Sequence, residues 1–118
     1  MNTTLIGRRA EASACEFLVD KGMTVLSQNA RTRLYELDLV MLDGDTLVVV
    51  EVKYRKNALW GGGEAALDQH KIHRLIMATQ LWQVEHGYEL HAVRIDLVVV
   101  EGSGMRCRYY SNVVEVSA

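Results

Sequence analysis

Two apolar, β-branched runs, residues 37–42 and 46–50, meet across Asp43-Gly44-Asp45, and no other feature restricts the fold of this chain as much. Asp-Gly between such runs signals a tight hairpin, because a two-residue turn needs a position that tolerates positive φ. The two strands are therefore predicted to be antiparallel neighbours. The second strand, Leu47-Val48-Val49-Val50, runs straight into Glu51-Val52-Lys53. Side chains alternate across a strand, so Glu51 and Lys53 share one face while Val50, Val52 and Tyr54 share the other. Asp38, on the first strand, comes close to Glu51 in either of two registers. A turn centred on Asp43-Gly44 puts Asp38 diagonal to Glu51, and one centred on Gly44-Asp45 puts the two acids directly opposite. Cross-strand partners lie roughly 5 Å apart and diagonal ones about 7–8 Å. An unbulged three-residue turn would instead separate them onto opposite faces.

Two carboxylates this close resist simultaneous ionisation unless a cation joins them. Hard oxygen donors that leave room for water suit Mg²⁺ or Mn²⁺. The Val52 carbonyl is a further hard donor, and Lys53 is placed to orient a water or to neutralise charge on a phosphate.

Around the hairpin, periodicity predicts a helix over 8–21, strands over 23–30, 36–42 and 46–55, a long helix over 64–86, a strand over 90–101 and a shorter one over 106–116. The first helix carries a polar stripe of Arg9, Ser13, Glu16 and Asp20 opposite Glu11, Ala14, Cys15 and Leu18. Glu11 thus falls on the core side, where a charge needs a partner or a metal, although a first-turn acid also suits the helix dipole. On the long helix, Ile72, Leu75, Ile76, Thr79 and Trp82 define the buried face. Residues 57–63, with Gly61-Gly62-Gly63, read as a mobile loop without the spacing of a phosphate-binding glycine loop. Arg94 and Asp96 share a strand face and are expected to pair. His70 and His73 lie one turn apart outside any HExxH motif and read as a solvated face. Cys15 and Cys107 read as ordinary buried thiols.

At 118 residues, 49% of them hydrophobic, the chain is expected to form a single domain over 1–118. No apolar stretch is long enough to span a bilayer and no secretory leader is recognisable, so a soluble cytoplasmic protein without membrane partners is the expectation. The formal net charge of −2 argues against indiscriminate nucleic-acid binding, but its distribution is uneven. Segments 1–35 and 53–74 are net positive. Residues 36–52 hold Glu36, Asp38, Asp43, Asp45 and Glu51 and no base. An acidic centre flanked by basic segments suits phosphodiester chemistry, with Arg8, Arg9, Arg55, Lys56, Lys71 and Arg74 as candidate backbone-phosphate contacts.

Taken in order, Gly7-Arg8-Arg9-Ala10-Glu11, Asn29-Ala30-Arg31, Tyr35-Glu36-Leu37-Asp38-Leu39-Val40, Val50-Glu51-Val52-Lys53-Tyr54-Arg55, Lys71-Ile72-His73-Arg74-Leu75 and Arg94-Ile95-Asp96-Leu97-Val98 resemble the YraN family of small bacterial proteins, over about residues 5–101. The resemblance implies a restriction-endonuclease-like α-β-β-β-α-β core, with a mixed central sheet flanked by helices, close to archaeal Holliday-junction resolvases. It also implies metal ligation by Asp38 and by the glutamate of Glu51-Val52-Lys53, with Lys53 catalytic and Glu11 added from the first helix. Glu36 matches a further acidic position. Tyr35 and Ala10 stand where the family usually has glycine, and Tyr35 is a candidate to stack on an exposed base.

The function expected is therefore a Mg²⁺- or Mn²⁺-dependent endonuclease of DNA, branched or single-stranded, with a homodimer able to engage two strands. The competing expectation is a non-cleaving nucleic-acid-binding or protein-interaction module on the same fold.

Overall fold

A computed structural model describes residues 3–57 and 67–114. Most of the expected glycine-rich loop (58–63), the first residues of the expected long helix (64–66) and the tail of the expected last strand (115–116) lie outside the described residues. The elements are α1 (Thr3–Asp20), β1 (Thr24–Arg31), β2 (Glu36–Asp43), β3 (Thr46–Arg55), α2 (Gln69–His86), β4 (Val93–Glu101) and β5 (Arg106–Val114). The first six reproduce the expected α-β-β-β-α-β order.

The hairpin resolves the choice of register. Asp43 pairs with Thr46 around Gly44-Asp45, and Gly44 takes the left-handed conformation at φ 61°. Every pair from there to Leu39–Val50 follows the register that aims Asp38 at Glu51. The sheet runs β1-β2-β3-β4-β5, antiparallel throughout except for β3 with β4. Parallel neighbours need a crossover, and α2 lies in it. As central strands, β3 and β4 are apolar on both faces, which explains the unbroken runs Leu47–Val50 and Leu97–Val100. The two outer strands are irregular: β1 shifts register between Val25 and Ser27, and β5 shifts opposite Ile95 and Leu97.

One core lies on each face. Ala10, Ala14 and Leu18 of α1 pack on Leu39, Met41, Val48, Val50, Val98 and Val100, the alanines letting the helix backbone approach the sheet. Leu75, Ala78 and Trp82 of α2 pack on Val40, Leu47, Val49 and Ile95. Truncating the fully buried Trp82 should cost about 3–5 kcal/mol. Helix α1 starts five residues earlier than the periodicity suggested, since the single Gly7 costs only about 1 kcal/mol and no proline intervenes. Helix α2 starts at Gln69 because the Asp68 carboxylate accepts the Lys71 N–H at 2.8 Å, and it ends at Gly87 in the left-handed conformation. Strand β4 begins at Val93, not residue 90, because residues 88–91 form a turn closed by His91 N–H to the Tyr88 carbonyl, which leaves Leu90 exposed.

Candidate functional site

The β2–β3 ladder stops at Leu39–Val50. Beyond that point β2 stays with β1 through Ala30–Leu37 and Arg31–Glu36, whereas β3 stays with β4 through Glu51–Leu97 as far as Arg55–Glu101. The sheet therefore opens between its second and third strands at Asp38 and Glu51. The side-chain alternation of β2 breaks at the same place, since Leu37 joins the α2-side core and Leu39 the α1-side core. Asp38 stands between them and closes the gap with its side chain, its Oδ2 accepting the Val52 N–H at 2.9 Å. A residue within a ladder directs its N–H and C=O to the same side, so the Val52 carbonyl is aimed at this gap as well.

Glu51 is 9% exposed, and its Oε1 lies 3.1 Å from the Lys71 ammonium on α2. Burial, reinforced by the charge of Asp38 and only partly offset by Lys71, pushes its carboxyl up to about 7. Asp38 is raised in the same direction by burial, against the opposing bond from Val52. A buried and a half-buried acid thus share one ammonium and one amide. Their donor set of carboxylate oxygens and a carbonyl suits a small hard divalent cation, which ordinarily keeps several waters and takes only one or two carboxylates from the protein. Asp38, Glu51 and the Val52 carbonyl are the groups that would hold it.

The remaining sequence candidates are distributed unevenly. Glu11 is half-buried on α1, in a hollow of about 210 Å³ with Thr4, Gly7, Arg8, Asn29 and Arg31. Burial raises its carboxyl, the charges of Asp38 and Glu36 add to this, and Arg31 and Arg8 oppose it. It feels the acidic pair electrostatically, yet among the described residues no three His, Cys, Asp or Glu side chains gather closely enough to hold a metal. Lys53 is exposed past Glu51 and joins no ion pair among the described residues. Arg8, Arg9, Lys56 and Arg74 are exposed. Arg55 is only 5% exposed, and its Nη2 donates to Glu101 at 3.1 Å, so its guanidinium faces the interior. Tyr35 is also buried, with its O–H donating to Glu85 at 2.9 Å, which removes it as a free stacking platform. Arg94 and Asp96 do pair, at 3.0 Å, and His70 and His73 are exposed on α2.

Lys71 is the residue whose position the sequence concealed. It is a candidate phosphate contact by sequence, and its ammonium sits on the Glu51 carboxylate. Nothing local signals this, because the contact depends on where α2 lands after the crossover.

A mixed sheet in α-β-β-β-α-β order, opened over an acidic pair at its second and third strands, is a restriction-endonuclease-like architecture. The chain belongs to the uncharacterised protein family UPF0102, the YraN family, whose profile matches residues 10–100. It is 46% identical over 99 residues to a UPF0102 protein of Stutzerimonas stutzeri, covering 83% of this chain and 82% of that one. A UPF0102 protein of Pseudomonas fluorescens is 46% identical over 104 residues, covering 86% and 85%. One from Methylococcus capsulatus is 41% identical over 113 residues, covering 94% and 91%. No helix among the described residues is long and apolar enough to cross a membrane.

Proposed function

We propose that the protein is a metal-dependent phosphodiesterase acting on DNA, with Asp38, Glu51 and the Val52 carbonyl holding Mg²⁺ or Mn²⁺. The observation that carries this reading is the open seam of the sheet, where half-buried Asp38 and buried Glu51 come together with one amide and one ammonium as their donors, and where burial raises both carboxyls. When bound, such a cation supplies Lewis-acid activation of water and stabilises charge developing on the phosphate. Lys71 lies on Glu51 as a counter-charge that a bound cation would displace. Lys53, exposed on β3 beyond Glu51, neutralises charge on the phosphate. Glu11 adds negative potential from α1, and Arg8, Arg9, Lys56 and Arg74 hold the backbone on either side. In a homodimer, two such centres would meet two strands of a branched substrate.

Asp38→Ala and Glu51→Ala should each lower Mg²⁺-dependent cleavage of labelled single-stranded, duplex or four-way-junction DNA by roughly 100-fold or more, with circular dichroism unchanged. Calorimetric metal binding should fall with it. Undiminished cleavage in both variants would sink the assignment.

One observation favours a second reading. The Lys71 ammonium already supplies Glu51 with a counter-charge, as a non-cleaving nucleic-acid-binding or protein-interaction module would need. Salt-sensitive DNA binding without turnover in either metal would select that reading.

A further inference from the structure

Beside the acidic pair, the turn at residues 32–35 and helix α2 enclose a groove of about 290 Å³. Its floor is Tyr35, Leu75 and Ala78, all buried. Its rim carries Leu34 and Met77, which are 75% and 52% exposed, its other wall carries Lys71 and Arg74, and the Glu36 carboxylate that also lines it is paired with Arg31 at 2.7 Å. The exposed leucine is held outward by a fixed turn. Thr32 Oγ1 accepts the N–H groups of Leu34 and Tyr35 at 3.1 and 3.2 Å, and the Thr32 N–H donates to the Tyr35 carbonyl at 2.9 Å. The Tyr35 O–H to Glu85 bond then ties this turn to α2 and sets the width of the groove. Lys71 belongs both to this groove and, through its ammonium, to Glu51.

We propose that this groove receives one unstacked nucleotide, its base against Leu34 and Met77 and its phosphate on Arg74 and Lys71, so that the substrate must present an unpaired residue beside the cleavage point. The proposal rests on the nuclease reading above and adds a substrate class to it. A flat base with apolar faces, joined to an anion, matches a slot that is apolar on its rim and cationic along one wall. A base held within a continuous duplex cannot enter it. The cationic wall distinguishes this occupant from an apolar peptide, and the step from groove to Glu51 through a single side chain aligns the nucleotide with the acids.

The test is fluorescence anisotropy in EDTA, at one fixed salt concentration, with a labelled single strand and a blunt duplex of the same sequence. Cleavage by the wild type in Mg²⁺ or Mn²⁺ is followed separately. The wild type should bind the single strand at least about tenfold more tightly than the duplex. Leu34→Asp and Met77→Asp should each remove about tenfold of the single-strand affinity and none of the duplex affinity, while Met77→Leu retains both. Both positions are exposed, and thermal melts followed by circular dichroism check that the variants fold. Equal affinity for the two DNAs in a wild type that cleaves would overturn the groove assignment and leave the nuclease standing. Absence of both binding and cleavage would overturn the nuclease reading and this one with it. A wild type that sediments as a dimer, made monomeric by Leu34→Asp with unchanged single-strand binding, would give the groove to a second copy of the chain and overturn the proposal.

Discussion

The same sheet buries acids in two places, under opposite conditions. Asp96, on β4, is fully buried and saturated. It accepts from Arg94 Nε at 3.0 Å and Nη2 at 3.3 Å, from the Tyr109 O–H and from the Asn112 N–H at 2.7 Å. Asn112, at φ 56°, lies where β5 shifts register, so the carboxylate fastens an irregular stretch of an outer strand. Asp38 and Glu51 together receive one ammonium and one amide. Burial alone does not mark a functional acid: Asp96 is surrounded by donors, whereas Asp38 and Glu51, the proposed metal ligands, are left short of them.

The largest consequence of this contrast concerns stability. Asp96→Ala should cost about 3 kcal/mol in urea unfolding, since it empties a fully buried position and takes the acceptor from the Tyr109 hydroxyl and the Asn112 amide, leaving half-buried Arg94 with Asp43 alone. A loss below about 1 kcal/mol would show that the saturated cluster contributes little, and the comparison would fail.

Glu51→Gln should behave in the opposite way. With its folded pKa raised to about 7 from 4.5, Glu51 binds more proton in the folded state across that window. Its contribution to stability is therefore fully present below about pH 4.5 and is lost as pH rises through about 7. Unfolding free energies at about pH 5 and about pH 8 should differ for the wild type, and the Gln variant should lose this part of the slope. A slope unchanged by the substitution would mean that Glu51 titrates normally.

The smallest effect is expected at Lys71. Lys71→Met removes a positive charge that competes with a cation for Glu51, so Mn²⁺ should bind about threefold more tightly by calorimetry. Weaker binding would make Lys71 a supporter of the site and not a competitor.

What could be read from the sequence follows the distance over which each interaction acts. Asp38 and Glu51 were found because a two-residue turn is a local device, and Gly44 left only a few registers to consider. The Arg94–Asp96 pair, two residues apart on one strand, was equally accessible, but Tyr109 and the Asn112 amide were not, because they reach Asp96 only through the irregular pairing of β5. Arg55 looked like a surface cation. It is buried because the parallel partner strand brings Glu101 directly opposite it, a pairing that depends on the crossover through α2. The burial of Tyr35 is hidden for a related reason, since its partner Glu85 lies fifty residues away on that same helix. Opening of the sheet was likewise hidden, because it reflects the competition of β1 and β4 for strands that the hairpin alone would keep together.

The irregular outer strands have a consequence for the chain in a crowded solution. An open five-stranded sheet offers two rows of unpaired backbone groups, and behind them lie valine-rich strands that would stack readily with copies of themselves. The shift between Val25 and Ser27, the left-handed Asn29 beyond it, and the matching break in β5 at Asn112 bend both margins away from a straight template. Among the described residues, the regular edge left for a neighbouring chain to extend is therefore short on both margins.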